Sequence, residues 1–105
     1  MYITPEMSVE MPLESQARIL EKIRHSWADF PQTTIEGMRI DTPAGWILVR
    51  NSSIENALFF RFESMEWAAL DHLVRRFCDT IDEAGDILWQ NYIVAMGTEG
   101  GGNKG

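Results

Sequence analysis

Residues 38–49 read MRIDTPAGWILV, two strand-like runs on either side of Thr42, Pro43, Ala44 and Gly45. The flanking residues are alternating apolar, β-branched or aromatic, as a pleated and half-buried surface requires, and proline and glycine between them suit a tight turn. A hairpin follows. Downstream, WILVR (46–50) passes through the polar loop RNSSIEN (50–56) into ALFFRFES (57–64), and upstream TTIE (33–36) is set off by Gly37. Four short strands in sequence predict an antiparallel sheet.

Helical periodicity flanks this block. From 14 to 29 the apolar residues Ala17, Ile19, Leu20, Ile23 and Trp27 recur at helical spacing against Arg18, Glu21, Lys22 and Arg24, and Pro31 closes the helix. After Ser64, a suitable N-cap, Trp67, Leu70, Leu73, Val74, Phe77 and Ile81 mark a second amphipathic helix reaching about residue 84. Asp79, Asp82, Glu83 and Asp86 crowd its end, where the helix dipole disfavours negative charge. Gly85 is therefore expected to stop it, and Asp86 to cap a third helix over 87–96. Residues 1–13 read as a lead-in containing one short strand at most, residues 14–96 as the domain, and residues 97–105 as a flexible tail. Helix, four strands and helix in that order predict an α+β sandwich, a four-stranded antiparallel sheet with two main helices on one face.

Composition narrows the function. A chain of 105 residues is one domain with room for one core. Nine basic against sixteen acidic side chains give a net charge of -7, which opposes broad attraction to nucleic acid or to anionic lipid. Any anion must bind locally. No apolar run approaches the roughly 20 residues needed to span a bilayer. MYITPEMSVEMP lacks the basic flank and apolar core of a signal peptide, and the single cysteine, Cys78, has no internal partner for a disulfide. The default setting is cytoplasmic.

His25 and His72 each stand alone on a helix, which gives no metal-ligand spacing. Cys78, beside Phe77, reads as a small buried thiol. Trp27, Trp46, Trp67 and Trp89 fall on apolar faces or at element ends and read as core rather than as platforms for nucleic-acid bases. The polar loop is different. Arg50 offers a planar fork for phosphate or carboxylate, Ser52 and Ser53 offer hydroxyls, and backbone N–H groups freed by a turn can line an anion nest. Arg61 either returns to the same end of the sheet or lies further down the strand. The plainer account is that Arg50 and Arg61 are solvated strand residues while Ser52, Ser53 and Asn56 merely suit a turn; spacing alone favours it.

The stretch EGMRIDTPAGWILVRNSSIENALFFRFES (36–64) resembles the start of the C-terminal, fourth domain of the phosphohexomutases, the phosphomannomutase and phosphoglucomutase family. Gly45-Trp46 followed by Arg50-x-Ser52-x-x-Glu55 carries the likeness, which covers about residues 34–84. YITPEMSVEMP is similar to the hinge leading into that domain. The resemblance implies a TATA-binding-protein-like fold and a lid that grips the phosphate of a hexose phosphate not being transferred. It also implies that the phosphoserine and the bound magnesium ion of the full-length enzyme lie in preceding mutase domains, so that no cofactor and no catalytic residue belong to this chain. Carried over by position, the loop is Arg50 to Asn56. Arg50, Ser52 and Glu55 keep the family's identities, Ser53 replaces a glycine or asparagine, and Arg61 falls where some members use an arginine on the phosphate. Ile54 stands in place of a threonine and Asn56 in place of a proline. Loss of one hydrogen bond to a charged group is worth about 1.5–3 kcal/mol, so the implied phosphate site is a weakened one. The alternative is a free-standing, non-catalytic interaction domain with a degenerate phosphate loop, binding through its open sheet face or its third helix.

Overall fold

The computed structural model describes residues 1–34, 37–52 and 54–96. Its elements are β1 (Tyr2–Ile3), β2 (Met7–Glu10), α1 (Leu13–Ser26), β3 (Gln32–Thr33), β4 (Met38–Thr42), β5 (Gly45–Ser52), β6 (Ala57–Ser64), α2 (Trp67–Cys78) and α3 (Asp82–Tyr92). The second half of the expected strand at 33–36, Ser53 and the tail 97–105 lie outside the described residues.

The hairpin at 38–49 forms as its residues require. Thr42 pairs with Gly45, and Ile40 with Ile47. The Thr42 hydroxyl closes the turn, accepting from the N–H groups of Ala44 and Gly45 at 3.1 Å and donating to the Gly45 carbonyl at 2.8 Å. Gly45 is required here because a Cβ would collide with the Glu63 carbonyl of the next strand. β5 and β6 then pair over their full length, from Gly45 with Ser64 to Ser52 with Ala57.

The sheet is antiparallel throughout, in the order β6, β5, β4, β3, with β1 and β2 both along the free side of β6. Among the described residues it therefore has six strands, two more than expected, because the lead-in supplies an edge. Pro5 explains the break between β1 and β2: it has no N–H for the ladder. Thr4 repairs the gap, its N–H donating to the Phe62 carbonyl at 2.9 Å and its hydroxyl accepting from the Phe62 N–H at 3.0 Å.

Strand alternation separates the two faces of the sheet. Met7, Val9, Ile40, Ile47, Val49, Leu58, Phe60 and Phe62 are buried beneath the helices. Phe77 of α2 lies at the centre of this core, with ring centroids 5.7 Å from Phe60, 5.3 Å from Phe62 and 5.8 Å from Trp27. Full burial of each such side chain contributes about 1.5–3 kcal/mol.

Three local expectations are corrected. The buried stripe of α1 is Gln16, Ile19 and Ile23, with Ala17 exposed, so the helix is turned slightly from the face that hydrophobicity alone selects. Ser64 ends β6 and donates its hydroxyl to the Ala44 carbonyl, while α2 begins later, after Glu66. The third correction concerns the acidic region. The break falls at 79–81, and Gly85 lies buried inside α3. A side chain at Gly85 would collide with the Cys78 carbonyl, so glycine here permits close packing rather than ending a helix. Asp82 and Glu83 thereby occupy the first turn of α3, where the helix dipole favours them. Asp82 also binds Lys22 of α1 at 2.8 Å.

Candidate anion site on the open sheet face

The face of the sheet away from the helices carries three arginines. Arg50 pairs with Phe59, and Leu48 with both Arg39 and Arg61. Arg50 is thus a diagonal neighbour of Arg39 on one side and of Arg61 on the other, separations that run about 7–8 Å across a sheet. Ser52, two residues beyond Arg50 on β5, shares this face. The strand register accordingly brings Arg50, Arg61 and Ser52 to one side of the molecule.

Apolar neighbours shape how the cations lie. The Arg50 guanidinium carbon is 4.5 Å from the Phe59 ring centre, and that of Arg39 is 4.8 Å from the Trp46 ring centre. Both arrangements are cation–π contacts. Arg39 also meets Asp41 at 3.0 Å. Arg50 is engaged by Glu6: its Nε donates to Oε2 and its Nη2 to Oε1, each at 3.3 Å. The hydrogen bonds Arg50 donates to Glu6 raise its pKa above the ordinary value, desolvation opposes this, and the charges of Glu6 and Glu55 add to it. Arg61 is exposed and forms no ion pair among the described residues.

The loop beyond Ser52 is a separate piece of geometry. The Ser52 hydroxyl accepts from the Glu55 N–H at 3.2 Å, so it is used to close the turn. Asn56 has φ of 49°, a left-handed conformation that asparagine tolerates and that a proline ring cannot adopt. Ile54 is 93% exposed at the tip. A shallow depression of about 510 Å³ beside the loop is lined by Glu10, Met11, Pro12, Glu55 and Asn56. Its described lining residues bring two carboxylates and no cation, which makes it a poor anion seat. The cations and the loop's concavity are therefore adjacent rather than merged, and Ser53 lies outside the described residues.

Three residues around this site were not singled out by sequence. Glu6 occupies Arg50. Gln16, 1% exposed, donates its Nε2 to the Met11 carbonyl at 3.0 Å and to the Ser52 carbonyl at 3.5 Å. Met11 donates its N–H to the Asn56 carbonyl at 2.8 Å. Both ends of the loop are thus held from outside, by the lead-in and by the first turn of α1. Each partner is far away along the chain, so no local spacing could reveal it; a buried glutamine on an amphipathic helix is the nearest thing to a signal.

Among the described residues no group of three or more His, Cys, Asp or Glu is arranged to hold a metal ion, so these residues do not fit a magnesium site. No helix among them is long and apolar enough to cross a membrane.

The chain is 36% identical over 72 residues to the phosphomannomutase/phosphoglucomutase of Pseudomonas syringae pv. tomato, a match covering 67% of this chain and 16% of that protein. It is 30% identical over 91 residues to the phosphoglucomutase of Neisseria gonorrhoeae, covering 82% of this chain and 20% of that one. Among solved structures, a phosphoglucomutase/phosphomannomutase family protein from Burkholderia thailandensis aligns with a TM-score of 0.52 and 27% identity over 83% of this chain and 18% of its own. No protein-family model matches. The chain spans only 16% to 20% of the length of these two curated relatives.

Proposed function

We propose, from a chain whose sequence and fold are those of one segment of the phosphomannomutase/phosphoglucomutase family, that it is the C-terminal substrate-phosphate-binding lid of such an enzyme. Residues 1–13 serve as the hinge and 14–96 as the lid domain. The phosphate that is not transferred, on a hexose phosphate such as glucose 1-phosphate or mannose 1-phosphate, binds Arg50 and Arg61 with help from the turn at 52–56. The single observation that carries this reading is the placing of Arg50 and Arg61 as diagonal neighbours on an exposed face, with Arg50 two residues from Ser52 at the start of that turn and Arg61 further down β6, opposite Leu48. Two guanidinium forks at that spacing suit a phosphate dianion. Gripping a non-reacting group helps hold the reacting one in line, which is how a lid would raise the rate of intramolecular phosphoryl transfer. The serine that carries the phosphoryl group and the magnesium ion belong to preceding domains in this reading, so the chain alone does not turn over substrate. The setting is cytoplasmic.

The test is a titration of isotope-labelled chain with glucose 1-phosphate and mannose 1-phosphate, following backbone amides 50–56 and the Arg50 and Arg61 side-chain N–H signals. Saturable shifts at millimolar ligand that vanish in Arg50→Ala support the proposal. Unmoved signals, or shifts that survive Arg50→Ala unchanged, overturn it.

A second reading is the interaction domain with a degenerate phosphate loop, to which the likenesses to full-length mutases give no support. A native gene product of about the chain's own 12.0 kDa would support it, whereas one several times larger would support the lid.

A further inference from the structure

The lead-in carries a feature that the proposed phosphate site does not require. Glu6 follows the Thr4-Pro5 break, where the edge strand leaves its ladder and resumes at Met7. From there its carboxylate reaches Arg50 with both oxygens, while the Phe59 ring packs against the same guanidinium. Glu6 lies 44 positions before Arg50 in the chain, so this contact depends on how the lead-in sits against β6 rather than on any local turn.

We infer that Glu6 is a built-in competitor for the phosphate, a carboxylate plug that substrate must displace from Arg50. The inference rests on the lid reading, since it concerns the same arginine. The chemistry is direct. Carboxylate and phosphate use the same fork of N–H donors, and both cannot take it in the same geometry. The pair is accessible to solvent, with side-chain exposures of 45% for Arg50 and 43% for Glu6, so an arriving dianion can exchange with it. A plug of this kind also links the site to the hinge: phosphate binding frees Glu6, and by reciprocity any movement that draws the lead-in away raises affinity for phosphate. Lid closure and substrate grip would then reinforce each other.

The experiment uses the full chain as wild type, Glu6→Gln, Arg50→Ala and the double variant, each titrated with glucose 1-phosphate and with inorganic phosphate. Exposed ion pairs are weak, so Glu6→Gln is expected to tighten binding by about two- to fivefold. The Arg50 Nε–H signal is expected to move in the free Glu6→Gln protein towards its position in phosphate-bound wild type. In the Arg50→Ala background the Glu6→Gln change is expected to have no effect. Equal tightening in both backgrounds would overturn the plug, because it would mean only that one negative charge had been removed. Equal binding by wild type and Glu6→Gln would overturn it while leaving the lid intact. No binding by any variant would overturn the lid itself, and the plug with it.

Discussion

Gly85 packs against the backbone of Cys78 so closely that any side chain there would collide with the Cys78 carbonyl. The contact lies where α2 and α3 meet, and α3 in turn packs over the edge strand β2. Two effects compete when Gly85 becomes alanine. Replacing a helix-interior glycine favours the helix by about 0.5–1 kcal/mol, whereas forcing a side chain into a close-packed junction costs about 1–3 kcal/mol. The clash is with backbone, which cannot swing aside as a side chain can. Gly85→Ala is therefore expected to lose about 1–2 kcal/mol in urea unfolding, and a gain in stability would refute the packing described.

How far the sequence could be read depends on the range of the interactions. The hairpin at 38–49, the strand at 57–64 and the apolar face of α2 rest on period and turn chemistry within a dozen residues, and all appear. Gly85 misled because glycine has two uses, ending helices and admitting close contact, and only the position of Cys78 tells them apart. The same limit applies at the candidate site. Arg50, Ser52 and Arg61 stand out by residue type, and alternation puts Arg50 and Ser52 on one face, but only the register of β5 against β6 adds Arg61 to it. The contacts that govern them come from Glu6, Met11 and Gln16, whose partners are set by how the lead-in and α1 pack.

Phe77 touches rings from three directions, Phe60, Phe62 and Trp27, and is fully buried. Truncation would leave a cavity under the centre of the sheet. Phe77→Ala is expected to cost about 3–5 kcal/mol, a large share of the roughly 5–15 kcal/mol available to a domain. Phe77→Leu, which refills most of the volume, should retain the native fold with a clearly smaller loss. Thermal unfolding of the two variants side by side would check the order, and equal losses would mean that the aromatic contacts are not central.

Burial pushes the Cys78 thiol from its ordinary 9.0 up to about 12, with the neighbouring Asp79 adding to the effect. The folded state therefore holds the proton that the unfolded state releases. Stability from this group is fully present below about pH 9 and is lost as pH rises towards about pH 12. Two outcomes are expected. The thiol should react slowly with alkylating reagents at pH 8, and reactivity should rise with denaturant. Cys78→Ala should flatten the decline in stability above pH 9 relative to wild type; identical pH profiles would show that the thiol does not stay protonated in the fold.

Asn56 tests whether the loop keeps the family's shape. Its φ of 49° lies in the left-handed region, where glycine is at ease, asparagine is tolerated and proline is excluded by its ring. Asn56→Gly is expected to be neutral within a few tenths of a kcal/mol. Asn56→Pro restores the residue that the family resemblance places there, yet it should cost about 2–3 kcal/mol here, because the turn closed by the Ser52 hydroxyl and the Met11 N–H would have to open. Ile54→Thr makes the opposite comparison. It returns a hydroxyl to an exposed tip without touching the backbone, so stability should hold while phosphate binding tightens by about tenfold or more. Denaturant unfolding of Asn56→Pro decides between the two loop shapes. A stabilised variant would mean that the chain adopts the proline-compatible turn, and that Asn56 and Ser52 lie differently from the arrangement on which the candidate site is built.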